Sequence, residues 1–225
     1  MAAEHESLKN LLRAKRAGMS ENHGTRLHRA ISWLKCASEQ SDNPDLQFIS
    51  LWVGFNAGYS TDGEGSAELT QRDEFRQFVR RLVKHDAENL IYECLWEKYS
   101  GPVRLLIDNR FVYPGFWAFH QRQMKSAGAL DESEWRMGFD ASVEKALMGL
   151  QRGDVANLLG VVLDRLYVLR NQLVHGGATY RGQVNRKQVK DGANLLTALL
   201  PVIIKIMLLA PEENWGSIAL PVVKA

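Results

Sequence analysis

The chain has 225 residues, which is enough for one domain with a sizeable core. A formal net charge of +2, with 24% charged residues, excludes a strongly basic nucleic-acid-binding protein, so any anion site must be local. The two cysteines have neither metal-ligand spacing nor a disulfide framework, and no Walker loop or dinucleotide loop is present. We therefore expect neither a metal nor a cofactor, and a reducing cytoplasmic location.

Apolar residues recur at helical spacing nearly throughout, and no alternating strand of convincing length is present. The residues Leu27 to Ala37 predict an early helix. Asn43-Pro44 predicts an N-cap followed by a proline in the first turn of the next helix. The predicted apolar face of that helix consists of Phe48, Leu51, Trp52, Phe55 and Tyr59.

The middle of the chain alternates loop signals with helical patterns. Residues 61–67 predict a loop, and Thr70 with Asp73 resembles a capping box for a helix reaching Leu82. Further helical stretches are predicted near 87–99 and between Asp131 and Leu150. The triplets Ser100-Gly101-Pro102 and Tyr113-Pro114-Gly115 predict turns.

Gly153-Asp154 opens the helix that carries the most informative residues of the chain. One face is an apolar stripe from Val155 to Leu173, and a second face combines valines with polar residues. The second face consists of Asn157, Val161, Asp164, Val168, Asn171 and His175. Two interpretations remain open for it: a mostly solvated face, or a face covered by another helix or a second copy of the chain.

The pair Gly176-Gly177 predicts the end of this helix, because glycine adopts the left-handed conformation at low cost. A last helix from Val189 to Met207 follows, and Pro201 is expected to kink it. The apolar segment 195–210 is short for a membrane span and favours a buried core helix. The N-terminus lacks the pattern of a secretory signal, so no membrane association is expected.

Arg170, Asn171 and His175 lie together at the end of the predicted helix. Arginine suits a phosphate and histidine moves protons near neutral pH, which favours phosphate-ester chemistry on RNA. Arg170 and His175 are about 140° apart around an ideal helix, so one copy of the motif does not obviously close a site. Arg-x4-His spacing also arises by chance, and a salt-bridged arginine with a capping histidine is the simpler alternative.

The residues 166–177, with the helix that follows them, resemble the HEPN family (higher eukaryotes and prokaryotes nucleotide-binding). The aromatic helix at 48–59 is similar to one found early in its Apea-like branch. The resemblance covers about 24–210. It implies an all-α, HEPN-like helical bundle with additional short helices, preceded by an N-terminal segment (1–23) and followed by a C-terminal tail (211–225).

The resemblance implies a metal-independent endoribonuclease, often a toxin or a phage-defence effector. It implies that Arg170, Asn171 and His175 are catalytic, that the chain forms a homodimer through this helix, and that its partners are RNA and, in some members, a neutralising protein. Members with a modified tyrosine carry it where this chain has Gly177. The alternative is a non-catalytic helical module that binds a nucleotide or a partner protein.

Several other basic and aromatic residues are weaker candidates. Arg181, Arg186 and Lys187 follow the motif and are candidate RNA-backbone contacts, although a solvated loop explains them as well. A second Arg-x4-His, Arg80 to His85, has no neighbouring amide and no glycine stop. The aromatic residues around His120 favour a buried cluster over a base-stacking platform.

Overall fold

The structure is a computed structural model that describes residues 2–61, 71–183 and 186–223. It confirms the all-α class, since within these ranges the chain forms ten α-helices and one isolated antiparallel bridge between Thr61 and Ile218. The predicted loop over 61–67 falls almost entirely, and the Thr70–Asp73 cap falls partly, on residues outside these ranges.

The α-helices vary from a single turn to more than six turns. In chain order they are α1 (Ala2–Lys15), α2 (Glu21–Ser38), α3 (Pro44–Tyr59), α4 (Gln71–His85), α5 (Leu90–Tyr92), α6 (Ser100–Ile107), α7 (Pro114–Lys125), α8 (Ser133–Arg152), α9 (Val155–Val174) and α10 (Arg186–Leu209). Short 3-10 segments at Arg16–Gly18 and Arg110–Val112 and a π-helical segment at Glu93–Lys98 connect some of them.

Two predicted helix starts are confirmed at the level of hydrogen bonds. The Asn43 side chain accepts a hydrogen bond from the Leu46 amide, with Pro44 in the first position of α3. The Asp154 side chain accepts from the Asn157 amide at 3.1 Å and caps α9. Both caps use a side-chain oxygen to satisfy an amide that has no partner within the helix.

Two predicted turns are wrong, because both triplets lie at the start of a helix. Ser100-Gly101-Pro102 forms the first residues of α6, and Pro114 is the first residue of α7. Proline is tolerated in a first turn, where its missing N–H has no acceptor in the helix. The helical stretch predicted near 87–99 begins later, at Leu90, after Asn89 adopts a left-handed conformation with φ 54°.

The main hydrophobic core is built around α10, which packs against α2, α3, α6 and α9. Gly192 lets α10 lie close to α9 and α3, because a Cβ there would be 2.8 Å from the Leu169 side chain and 3.0 Å from the Phe48 side chain. The α9 apolar stripe is buried as predicted, with Leu159, Val162, Leu166 and Leu169 at 0% exposure. Helix α10 is long and apolar enough to cross a membrane, but 67% of its most apolar window is buried in the fold.

A smaller aromatic cluster lies apart from the main core, between α7 and α8. Its buried members are Phe116, Phe119 and Trp135, and the His120 ring centroid lies 4.2 Å from that of Phe116. The buried aromatic cluster predicted around His120 is confirmed for Phe116 and Phe119, whereas Trp117 is 38% exposed.

Arg165 of α9 is buried between the two clusters. Its guanidinium donates to the Ile107 carbonyl and to Ser142 Oγ and lies over the rings of Tyr113 and Phe139. Burial lowers the pKa of Arg165 to about 10, so it remains charged near neutral pH. Carbonyl dipoles and ring faces therefore replace a carboxylate as the environment of this cation.

Both segments outside the predicted central domain pack onto it. Leu8 and Leu12 of α1 are buried in the main core. In the tail, Trp215 is 2% exposed, and the buried Arg26 donates to the carbonyls of Gly58 and Gly216. The domain boundaries predicted at 23 and 210 stay predictions. Residues beyond each boundary are buried in the main core.

Candidate active site at the end of α9

Helix α9 carries the predicted site to the surface and ends there. Val174 is its last residue, His175 is the C-cap, and Gly176 has a φ of +73°. The predicted glycine stop is thus confirmed at Gly176, while Gly177 has no positive φ. No Cβ contact would form within 4 Å at Gly176, so backbone conformation rather than space favours glycine there.

Arg170 is half-buried, and its guanidinium is only partly satisfied. Its Nη1 donates to Asn171 Oδ1 at 2.9 Å, whereas Nε is buried with no hydrogen-bond partner. It forms no ion pair with any residue that the structure describes. A buried N–H without an acceptor costs about 1–3 kcal/mol, so this position of the guanidinium is held at a cost to stability.

Asn171 links the two other members of the motif. Its side chain holds Arg170, and its backbone carbonyl accepts a hydrogen bond from the His175 amide at 3.0 Å. His175 itself is exposed at the C-cap of α9. The structure therefore brings the Arg170 and Asn171 side chains into contact, whereas His175 shares with Asn171 only the ordinary backbone hydrogen bond of a helix.

The loop after the motif is fastened to the N-terminus of α3, an arrangement that the sequence did not reveal. Arg186 donates to both carboxylate oxygens of Asp45, at 2.7 and 3.0 Å, and this bond raises the pKa of Arg186. The Arg181 amide donates to the same carboxylate at 3.3 Å, and Asn43 donates to the Tyr180 hydroxyl at 2.7 Å. Asp45 is buried and Asn43 is the α3 N-cap, so the anchor is part of a helix start.

The three residues predicted to bind the RNA backbone differ in availability. The fork of Arg186 is occupied by Asp45, so a phosphate would compete with a bidentate ion pair. Arg181 is exposed, and its guanidinium lies 5.4 Å from the centroid of the Tyr180 ring. Lys187 is exposed and lines a groove of about 720 Å³, together with Arg104, Arg110 and the carboxylates of Asp108 and Asp191. Lys187 and Arg181 remain candidate RNA contacts, and Arg186 has a structural role.

Gln172 is a motif residue to which the sequence assigned no role. Its Nε2 donates to the Phe111 carbonyl at 2.6 Å, and Trp117 Nε1 donates to the same oxygen at 2.7 Å. The end of α9 is thereby fixed to the segment that precedes α7. Nothing in the spacing of Gln172 and Phe111, which are 61 residues apart, indicates this contact.

The second Arg-x4-His belongs to a different part of the fold. His85 Nε2 lies 2.5 Å from Glu213 Oε2, and Lys84 Nζ lies 3.1 Å from the same atom. These bonds lower the pKa of Glu213 to about 2. His85 therefore holds the C-terminal tail, and the described residues form no cluster of metal-ligating side chains there or elsewhere.

The geometry gives one compact group, Arg170 with Asn171, and one exposed imidazole that follows it by a turn. The first provides a cation for a phosphate, and the second, about 140° away around an ideal helix, provides a proton donor or acceptor. Comparison with known proteins adds no assignment, because no family model, curated protein or solved structure matches the chain.

Proposed function

We propose that the chain is a metal-independent endoribonuclease of the HEPN type, and that Arg170, Asn171 and His175 form its active site. The observation that carries the proposal is the state of Arg170. Its guanidinium has no carboxylate partner among the described residues, and Asn171 holds one of its nitrogens in place. A phosphate supplies the missing negative charge and matches the geometry of the guanidinium fork.

In the proposed reaction, the 2′-oxygen of a ribose forms a bond to the adjacent phosphorus, and the bond to the 5′-oxygen breaks. A base removes the 2′-hydroxyl proton, and an acid protonates the 5′-oxygen as it leaves. His175 transfers protons and Arg170 stabilises the additional negative charge on the phosphorane. The products are a 2′,3′-cyclic phosphate and a free 5′-hydroxyl.

A second copy of the chain completes the site in this proposal. Arg170 and His175 differ by about 140° in direction around α9, whereas a two-fold axis brings the same helix end from two copies together. Exposed apolar side chains around the motif support such a contact, since Val174 is 48% and Tyr180 59% exposed. Leu46, in the α3 turn to which the motif loop is tied, is 45% exposed.

The test is cleavage of a mixed RNA pool by the purified chain in EDTA, with analysis of the product ends. We expect cyclic-phosphate ends from the parent, and a loss of at least about 100-fold in rate for His175→Ala and Arg170→Ala. Matched controls are His28→Ala and Arg13→Ala, which remove the same types of side chain at exposed positions far from the motif in the sequence. Equal rates in motif and control variants would show that the assignment is wrong.

The alternative is a non-catalytic module in which the same residues hold a ligand or the dimer. It predicts that the parent does not cleave RNA at any protein concentration. His175→Ala would instead change the oligomeric state, and with it the mass measured in solution. Light scattering on the samples used for cleavage distinguishes the two proposals.

A further inference from the structure

A long groove lies where the two hydrophobic clusters of the fold meet. It consists of two adjoining cavities, of about 720 and 420 Å³, which share Asp108, Val143 and Leu147 in their walls. We call this feature the α8 groove, because both cavities are lined by residues of α8. Val143 packs against the main core, and Phe139, also in its wall, packs against the smaller aromatic cluster. Spaces between packed helices are common positions of small-molecule sites.

The α8 groove collects large apolar side chains that the fold does not bury. Leu106 and Ile107 of α6 are buried members of its lining. The exposed apolar members are Leu105 (54%), Phe111 (39%), Leu147 (40%) and Met148 (37%). Single exposed apolar residues are normal on a protein surface, but several around one concavity are typical of a binding site.

One face of α8 extends along the groove and gives it an elongated shape. The α8 residues in its walls are Phe139, Asp140, Val143, Glu144, Leu147, Met148 and Gln151. Neighbours three or four residues apart lie on one face of a helix, which is the spacing seen here. The rise along the helix from Phe139 to Gln151 is about 18 Å. An apolar groove of this length matches an extended aliphatic chain better than a compact ring system.

The larger cavity of the α8 groove is lined by cations from three elements. Arg104 belongs to α6, Arg110 to the 3-10 segment after it and Lys187 to α10. None of the three forms an ion pair in the part of the chain that the structure describes. The Arg104 guanidinium lies 5.4 Å from the ring centroid of Trp96, and that of Arg110 lies 5.0 Å from the ring centroid of Phe111. Aromatic rings thus help to position two of these cations without neutralising them.

Carboxylates in the same groove restrict the kind of anion that fits it. Asp108 and Asp191 also line the larger cavity, so its three cations and two carboxylates leave a net charge of +1. The smaller cavity has Asp108, Asp140 and Glu144 but no cation among its described lining residues. A single negative charge at the basic end matches this distribution, whereas a polyanion along the groove would meet the carboxylates of the smaller cavity.

From these features we propose that the α8 groove binds a fatty-acid anion. Its carboxylate lies among Arg104, Arg110 and Lys187, and its aliphatic chain extends along α8 over Val143 and Leu147. The chain covers apolar side chains that are otherwise in water, and the guanidinium groups match a carboxylate. The volumes of the two cavities are within the range of small-molecule sites. The proposal is independent of the ribonuclease assignment and uses none of its catalytic residues.

The experiment is calorimetric titration of the full chain with decanoate, butanoate and decanol. Decanoate is expected to bind at least about 100-fold more tightly than butanoate, because its longer chain buries more apolar surface in the groove. It is expected to bind at least about tenfold more tightly than decanol, which has the same chain length and no negative charge. The two comparisons measure the contributions of the chain and of the carboxylate separately.

The basic end is tested by the double variant Arg104→Gln, Arg110→Gln, which removes both guanidinium groups. We expect it to raise the Kd of decanoate at least about tenfold and to leave the Kd of decanol unchanged. The charge-matched control is Arg13→Gln with Arg80→Gln, which removes two exposed cations outside the groove. The control should bind decanoate as the parent does.

The apolar wall is tested by Leu147→Glu, which places a carboxylate beside the chain and should abolish binding. Ala141→Glu adds the same charge at an exposed α8 position outside the groove and should not affect it. The proposal is overturned if the parent does not bind decanoate, if decanol binds as tightly, or if either groove variant binds as its control does. A dimeric parent that becomes monomeric in Leu147→Glu would also overturn it, because a second copy would then cover the groove. RNA cleavage is measured separately, so failure of one proposal is distinguishable from failure of the other.

Discussion

The Asp45 side chain holds the loop that follows Arg170, Asn171 and His175. It is buried in the first turn of α3 and binds the Arg186 guanidinium and the Arg181 amide. The loop from Gly176 to residue 183 therefore has one anchor at α9 and another at α3. An RNA contact assigned to Arg186 would have to break this anchor first.

We predict that Asp45→Ala destabilises the chain by about 2 kcal/mol. The value is below that for a fully buried ion pair, because the Arg186 side chain is 30% exposed. Chemical denaturation measures the free energy of unfolding, and hydrogen exchange reports the loop amides. The exposed Asp42→Ala is the control, and an equal effect of both variants would contradict the anchor.

His23 makes the stability of the fold depend on pH. Burial, with a smaller effect of Arg26, lowers the pKa of His23 from 6.5 to about 4. Because the unfolded chain takes up this proton first, the contribution of His23 is fully present above pH 6.5 and falls as the pH decreases towards 4.

Between pH 7 and 4.5 we expect the parent to lose about 2–3 kcal/mol of stability through His23. A His23→Gln variant should have a flatter dependence over this range, as measured by urea denaturation at each pH. The stability linked to Glu213 begins to fall only near pH 4.5, where the unfolded carboxyl takes up its proton, and continues to fall towards its folded pKa of about 2, so most of it is lost below this window. A parallel decline in both proteins would exclude His23 as the cause.

Helix α9 shows which structural features can be predicted from neighbouring residues and which depend on residues far away in the sequence. Asp154, the buried stripe and Gly176 are all predictable from the sequence, because a cap, a periodicity and a left-handed residue each depend on near neighbours. The starts of α6 and α7 were misassigned because proline is compatible with both a turn and a first helical turn. The bonds of Asp45 and Gln172 could not be predicted, since their partners lie far away in sequence.

Gly160 inside α9 and Gly176 just after its end should respond in opposite directions to the same substitution. Gly176→Ala places a Cβ at a φ of +73° and should cost about 1 kcal/mol. Gly160→Ala lies in regular helix with open space around it and should stabilise the chain by about 0.5–1 kcal/mol. Denaturation midpoints of the two variants test this, and shifts of the same sign would contradict the backbone argument.

The tail is part of the folded unit of the whole molecule. Trp215 packs edge-on against His23 and Phe78, and its indole N–H donates to the Ala210 carbonyl at 3.2 Å. Arg26 and the bridge between Thr61 and Ile218 hold the residues that follow. The sequence predicts only a C-terminal tail here; the packing of the tail depends on distant residues of α2 and α4 and could not be predicted.

We expect Trp215→Ala to destabilise the whole domain by about 3 kcal/mol, because a large buried ring is removed from the main core. The transition should remain single and cooperative if the tail unfolds with the rest. Val222→Ala, at a side chain that is 62% exposed, is the control and should have little effect. Hydrogen exchange that shows the tail amides opening before those of α2 and α4 in the parent would show that the tail is an independent unit.

The Phe111 carbonyl accepts one hydrogen bond from Gln172 and one from Trp117, so it joins the end of α9 to the aromatic cluster between α7 and α8. That cluster has only three buried members and is separate from the main core, so it is the part of the molecule expected to open first under mild denaturant. Opening would withdraw the acceptor that fixes Gln172, and the neighbouring Arg170 and Asn171 would lose their orientation while α10 and its surroundings stay intact. If the proposed RNA cleavage depends on this orientation, gradual heating should abolish cleavage several degrees below the global melting point.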